Sequence, residues 1–469
     1  MASRTPPPDQ FDRRLIVPMI LGSLLNPVNS SMLAVALVPI GIAFGAPPSE
    51  TIWLVSALYL ATAVGQPVVG RLVDLFGPKT LYLVGAALVG AAGVLGALAP
   101  NLGTLVLARV LIGLGTCAGY PAAMYLLRTE GRRTGKDSPA AILSALAISV
   151  QVFSVVGPTI GGLLIDVGGW RAVFTVNIPL AAACLVLGAL RIPTRRTLEA
   201  SGLVPERGPA RLDPLGMVLF GGMLVTAMLF LMDVQASTWY LPVAAVVLGA
   251  LFVRQELRTP DAFIDLRVLG GNTPLLLTYV RQILAYVVSY SFLYGFTSWL
   301  EAGYGLTASQ AGLVMLPLFA VAILTTALSG RSPALRSKLV VGAIAQVVAC
   351  SGLLLVDADT SLVAIVCLLV VLGVPQGIVG LANQNALYFQ ADPDRIGASS
   401  GLLRTFTYLG ALVASAANAA FFRGGADTSG LHDMGLFTAA CGALLLVVVL
   451  VDRSLSRSRP SRRTAGATA

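Results

Sequence analysis

Gly70-Arg-Leu-Val-Asp74-Leu-Phe-Gly77-Pro-Lys79 gathers two glycines, an aspartate and two basic residues into a short run of a chain otherwise poor in charge. The run stands between two long apolar segments, one ending near Val69 and the next beginning near Thr80. Glycine supplies the backbone freedom that an abrupt reversal needs. Taken alone, the stretch reads equally well as a solvated hairpin between membrane helices or as a border with a function, and the rest of the chain decides.

The chain has 469 residues, of which 56% are hydrophobic and 11% charged. A soluble globular chain carries about 25% charged residues, so this one is built for lipid. Its net charge of +9 does not call for nucleic acid, because cytoplasmic loops of membrane proteins concentrate Lys and Arg. The apolar segment after the polar Met1–Arg14 is too long for a signal-peptide core and reads as an uncleaved first span. Five cysteines (Cys117, Cys184, Cys350, Cys367, Cys441) sit inside apolar runs without metal-ligand spacing and are expected as buried free thiols. The single histidine, His432, falls in an expected outer loop and has no companion ligands. No clustered nucleophile and base is present, so neither enzyme chemistry nor a cofactor or metal is expected.

Spans of about 20 apolar residues fall near 15–45, 51–70, 80–99, 104–127, 140–166 and 170–190, then 214–232 and 238–257, then 274–299, 308–330, 338–356, 361–388, 396–421 and 434–451. This makes an all-α membrane protein of fourteen spans: a six-helix bundle (1–190), a linker with two additional spans and an interfacial segment (191–273), a second six-helix bundle (274–451) and a basic tail (452–469). With both termini cytoplasmic, twenty-six of the 31 Lys and Arg residues lie in inner segments and only Arg171 and Arg423 outside. That bias fits a multi-pass protein of the cytoplasmic membrane, expected as a monomer in the bilayer. Two bundles joined by a cytoplasmic segment are the plan of transporters built from repeats, with the site at the midplane between them. Gly330-Arg-Ser-Pro-Ala334-Leu-Arg-Ser337-Lys338 stands in the second half where Gly70–Lys79 stands in the first, a degenerate copy.

On these residues the chain resembles the major facilitator superfamily, and specifically its fourteen-helix drug:proton antiporters. Gly70, Leu72, Asp74, Gly77 and Lys79 match that superfamily's loop signature between its second and third helices, with Leu75 and Pro78 in place of basic residues. Leu105-x3-Arg109-x3-Gly113-x-Gly115 is similar to its fourth-helix arginine motif, and Gly157-Pro158-x2-Gly161-Gly162 to the fifth-helix motif associated with antiporters. The resemblance implies that Gly70, Asp74, Gly77 and Lys79 form a conformational latch, with Asp74 meeting the start of the span 396–421. It also implies alternating access, export of small amphipathic drugs or natural products, and exchange for protons.

The chain departs from that family where its first helix carries an aspartate, for here Asn29 stands. An amide cannot titrate. The scan of the spans finds no acid at a midplane, only Asp166, Asp233 and Glu301 toward outer ends and Asp74 at the inner rim. Coupling candidates are therefore Arg109, Asp166 and Glu301. A neutral-to-positive cavity favours an anionic or neutral polar substrate over a lipophilic dication. It keeps open an importer or facilitator of such a metabolite without proton antiport, and a non-transporting receptor or scaffold behind both. Helical spacing proposes as cavity lining Asn26, Asn29 and Ser30, then Arg281 with Tyr286, Tyr290 and Tyr294, then Gln376 and Asn383, and Arg404 with Tyr408. Polar residues of this kind also serve as interhelical glue.

Overall fold

The computed structural model describes residues 11–46, 48–51, 53–135, 140–204, 212–232, 235–330, 334–423 and 425–456. Asp233, the middle of the second-half copy of the loop (331–333), part of the linker (205–211) and the basic tail beyond Ser456 lie outside the described residues.

Among the described residues, fourteen long helices carry the fold. They are α1 (Ile16–Phe44), α2 (Trp53–Phe76), α3 (Pro78–Ala97), α4 (Leu102–Thr134), α5 (Ala140–Gly168), α6 (Asn177–Arg191), α7 (Pro214–Met232), α8 (Tyr240–Arg258), α9 (Thr273–Ala302), α10 (Ala308–Ser329), α11 (Leu335–Leu355), α12 (Leu362–Gln390), α13 (Ile396–Phe421) and α14 (Thr428–Val451). Their ends carry ordinary stop and start chemistry. Asn101 accepts from Thr104 N at 2.9 Å at the start of α4, and Thr307 and Gln310 cap each other at the start of α10. Thirteen helices among the described residues are long and apolar enough to cross a membrane. The one left out is α13, 26 residues long, whose Ser400, Thr405, Thr407 and Asn418 are nearly all buried against protein. A helix shielded from lipid need not be apolar all round.

The two six-helix halves repeat one packing scheme. In the first half α1 packs on α5, α2 and α3 on α4, and α3 on α6; in the second, α9 packs on α13, α10 and α11 on α12, and α11 on α14. The halves then exchange their second and fifth helices, α2 crossing α13 and α5 crossing α10. The additional pair α7 and α8 pack on each other, and α7 lies against α2 and α13, on the seam between the halves.

Several sequence expectations move. The charged stretch is not an extended turn: α2 runs on to Phe76 and α3 begins at Pro78, leaving Gly77 with φ 88° as the whole reversal. Arg71 and Asp74 are buried in it, which a solvated hairpin would not require. His432 lies inside α14 and contacts the Val356 carbonyl at 3.0 Å. Cys117, Cys184 and Cys350 are buried, but Cys367 is exposed and Cys441 only partly covered, because both fall on outward faces of helices that pack inward by one side.

Candidate functional site

Of the residues expected to form a latch, Gly70 and Asp74 sit where α2 meets α13, while Gly77 packs on Arg195. Asp74 Oδ1 accepts from Gly397 N and Oδ2 from Ala398 N, each at 2.8 Å. These are the free N–H groups of the first turn of α13, so the carboxylate meets both hydrogen-bond donors and the positive end of the helix dipole. The approach depends on absent side chains. A Cβ on Gly70 would lie 2.3 Å from Gly397 O, and one on Gly401 2.2 Å from Gln66 O. Behind the turn, Arg195 donates to the carbonyls of Asp74 and Leu75, and Lys79 to that of Ala189.

Further cross-half contacts lie at the same end of the bundle. Tyr388 donates to Leu127 O at 3.2 Å while Arg128 lies over its ring; Arg132 pairs with Asp394 at 3.3 Å; Gln151 bonds Thr326 at 3.2 Å. The Asp74 end is therefore shut.

Above this floor lies a cavity of about 220 Å³. It is lined by the first, second, fourth and fifth helices of each half, and α3, α6, α11 and α14 contribute nothing to it. The walls are aromatic and hydroxylic, with Tyr59, Tyr120, Tyr286, Tyr290 and Tyr408 alongside Ser30, Gln151, Ser289 and Gln376. Among the described residues, Arg404 is the one charged residue in the lining. Its guanidinium stands 4.1 Å over the Tyr120 ring, a cation–π placement that leaves its donors available. Toward the end opposite Asp74, the Tyr59 and Tyr294 hydroxyls meet across the halves at 3.3 Å. Tyr294 continues a stack from Tyr290, with ring centroids 5.7 Å apart. Tyr290 directly precedes, and Tyr294 lies within, a segment, Ser291–Phe296, where the backbone of α9 widens into a π turn, a distortion common at functional sites.

Of the residues expected to line the cavity, Asn26, Ser30, Tyr286, Tyr290, Gln376, Arg404 and Tyr408 are in its wall. Asn26 also bridges the halves, accepting from Tyr408 Oη at 3.0 Å and donating to Thr62 and Thr116. Four are elsewhere. Arg281 is buried toward the Asp74 end, bonded to Asp452 at 2.5 Å, Asn383 at 3.2 Å and Thr278 at 2.5 Å. Asn383 belongs to that network and also donates to Gln282. Asn29 turns into the first bundle and donates to Asn177 at 2.6 Å. Tyr294 stands above the cavity, 41% exposed.

The coupling candidates are not gathered together. Arg109 is buried and donates to Leu54 O at 3.0 Å and Asn29 O at 3.2 Å, tying α4 to α2 and α1. Asp166 and Glu301 are exposed near the ends of α5 and α9 and are not among the residues lining the cavity. On α5, Gly157 and Gly161 admit α1, whose Ser31 and Met32 occupy the space a Cβ would need, while Gly162 faces open space. Among the described residues, four buried acids escaped the sequence scan: Glu130, Asp213, Glu256 and Asp452. Each lies at the end of a span, where an apolar window does not register it.

This arrangement defines a membrane transporter of two repeated halves around a central cavity. The Major Facilitator Superfamily family description matches residues 19–415, and the chain belongs to that family. It is 31% identical over 433 residues to the uncharacterized MFS-type transporter YwoD of Bacillus subtilis (strain 168), covering 91% of this chain and 94% of that one. It is 28% identical over 426 residues to the multidrug efflux pump LfrA of Mycolicibacterium smegmatis (strain ATCC 700084 / mc(2)155), covering 87% and 81%. The human organic anion transporter MFSD10 (TETRAN) shares the fold, with a TM-score of 0.65 at 15% identity over 95% of this chain and 100% of that one. The chain is a multi-pass secondary transporter and not an enzyme.

Proposed function

We propose that this transporter exports small amphipathic aromatic molecules, neutral or anionic, by alternating access in exchange for protons. The observation that carries the substrate class is the cavity wall: tyrosines from both halves and a single charged group, Arg404. Tyrosine faces take flat apolar rings and their hydroxyls take polar substituents. A guanidinium with free donors attracts a carboxylate or phenolate and repels a cation, which argues against dications.

Export is supported by similarity to LfrA and by the Gly157-Pro158-x2-Gly161-Gly162 motif in α5. With both termini in the cytoplasm of a bacterial inner membrane, as the basic-residue bias favours, the shut Asp74 end is the inner one and the cavity faces outward. Gly70, Asp74, Gly77 and Lys79 then act as the inner latch, which releases when the cavity turns inward. Arg109 is the coupling candidate best supported by position, since it joins α4 to α1 and α2 beside the cavity.

The test is solute accumulation in everted membrane vesicles, across a panel of aromatic acids, neutral aromatics and lipophilic cations, with and without an uncoupler. Uncoupler-sensitive accumulation of the acids and neutral compounds is expected. Accumulation indifferent to the uncoupler overturns proton exchange and favours the facilitator reading, and preference for cations overturns the substrate class.

A further inference from the structure

Five acidic side chains are buried among the described residues, and three have evident compensation. Asp74 takes two backbone N–H groups, Glu130 takes Arg133, and Asp452 takes Arg281. Asp213, just before α7, and Glu256, in the last turn of α8, are different. Asp213 Oδ1 accepts from Gly216 N at 2.9 Å and Gln255 Nε2 at 3.2 Å, and Glu256 Oε2 accepts from Ile264 N at 2.9 Å. Their other oxygens, Asp213 Oδ2 and Glu256 Oε1, are buried and have no hydrogen-bond partner among the described residues. Both point at one place: a Cβ on Gly216 would lie 2.4 Å from Glu256 Oε1 and 2.5 Å from Asp213 Oδ2. Glycine at 216 is what lets the two carboxyl groups converge.

Two carboxylates this close and out of water repel, and each lone oxygen forfeits its hydration. One proton removes both costs, since a protonated carboxyl becomes the donor that the facing carboxylate lacks. Among the described residues, the neighbouring charges do not neutralise the pair by contact. Arg395, at the start of α13, is turned to Asp265 at 3.8 Å and to the Ala262 carbonyl, while Asp265 adds a further negative charge. Arg254 and Arg258 of α8 are exposed.

We propose that Asp213 and Glu256 share one exchangeable proton, and that its release is transmitted to the latch through Arg395. With the proton bound, the pair carries one negative charge and holds the segment after α8 through Ile264. Loss of the proton to water at the Asp74 end leaves two facing carboxylates, which must separate. That displaces the segment carrying Ala262 and Asp265 from Arg395, the residue directly before the turn whose Gly397 and Ala398 grip Asp74. The additional helix pair lines none of the cavity. Its role is instead to report proton occupancy to the α2–α13 crossing.

The inference rests on proton-driven transport only for the use made of the proton, and its test needs no solute. The full chain in lipid nanodiscs is titrated by infrared difference spectroscopy. A protonated-carboxyl band equivalent to one group per chain is expected to vanish as pH rises above the range where ordinary carboxyls titrate, and to be missing from that same interval in Glu256→Gln and in Asp213→Asn, whose remaining carboxyl protonates only at lower pH. A fluorophore pair across the Asp74 end is expected to change separation over the same pH interval in the wild type and not in the variants. A wild-type band that ignores pH overturns the shared proton, even where a variant fails to fold. So does a band that persists over that interval in both variants, or one that sodium rather than pH abolishes. Titration without movement of the fluorophore pair overturns the link to the latch. Failure of any of these leaves solute export untouched, and absence of export leaves the titration untouched.

Discussion

Arg281 and Asp452 face each other at 2.5 Å, both almost wholly withdrawn from solvent, and join the first helix of the second half to the end of its last. The partners are 171 residues apart. A buried charge left without its partner is costly, whereas a buried pair as a whole often contributes little. Arg281→Ala is therefore expected to lower stability by about 3–5 kcal/mol, and Asp452→Asn to lower it in the same direction. Arg281→Met combined with Asp452→Leu should recover most of the loss. Thermal or denaturant unfolding in detergent measures this. If Arg281→Ala left stability intact and altered only solute affinity, the structural role would be wrong.

The α2–α13 crossing tolerates no Cβ at its centre. Gly70→Ala sets a methyl group 2.3 Å from Gly397 O, against backbone that cannot rotate away. Overpacking of this kind costs typically about 1–3 kcal/mol and occasionally more, and here the cost falls only on the state in which the Asp74 end is closed. Gly70→Ala is expected to populate the opposite conformer. The check is labelling of an engineered cysteine on the α2 side of this end, which should rise.

Asp74→Asn tests the charge at the same crossing without altering its volume. The amide keeps one acceptor oxygen, loses the other to an NH2 group that opposes a backbone N–H, and surrenders the attraction to the helix dipole. A loss of about 1–2 kcal/mol from the closed state shifts its population roughly 5–30-fold. Distance distributions between spin labels across the two halves should broaden toward separation at the Asp74 end. Unchanged distributions would leave the carboxylate without a latching role.

The spans were legible because all but α13 are long apolar runs, and the Gly70–Lys79 stretch stood out because its residues are unusual in such a chain. Side-chain direction within a span was less so. Asn26, Asn29 and Ser30 share a helical face, yet that face is wide enough for Asn26 and Ser30 to reach the cavity while Asn29 turns to Asn177. On α9 the three- and four-residue spacing unites Tyr279, Gln282 and Tyr286. In the fold, Tyr279 and Gln282 are bonded to Ser399 and Thr407 of α13, and only Tyr286 meets the cavity. The π turn at Ser291–Phe296 then resets the register, so Tyr294 bonds Tyr59 rather than lining the cavity. No periodicity foretells an inserted residue. Asp213 and Glu256 were hidden for another reason: polar residues at helix ends are ordinary in sequence, and only the fold shows that these two are buried together.

Arg109 provides a sharper trial of coupling than removal of charge. Its guanidinium reaches two carbonyls on different helices, Leu54 O and Asn29 O. Lysine keeps the charge but offers a point donor on a flexible stem and cannot reproduce the fork. Arg109→Lys is expected to lose at least one charged hydrogen bond, about 1.5–3 kcal/mol, visible as reduced thermal stability together with slowed transport. Stability lost with transport rate preserved would reduce Arg109 to a brace.

Arg404 separates the substrate classes most directly, because it can be changed without touching the latch or the buried networks. Its guanidinium lies over the Tyr120 ring at 4.1 Å in a wall without another charge among the described residues. A charge-assisted hydrogen bond to an anionic solute is worth about 1.5–3 kcal/mol, which corresponds to roughly 10–150-fold in affinity. Arg404→Gln should weaken binding of aromatic acids by that factor, measured by tryptophan quenching or calorimetry on purified protein. Neutral aromatics, held by the tyrosine faces, should change little. Arg404→Lys should recover part of the acid binding, since the charge returns but the planar stack on Tyr120 does not. Lipophilic cations should bind better to Arg404→Gln than to the wild type, because the substitution removes the only charge in the wall that repels them. Equal losses for acids and neutral compounds would make Arg404 a packing residue and would return the choice of substrate to the tyrosines alone.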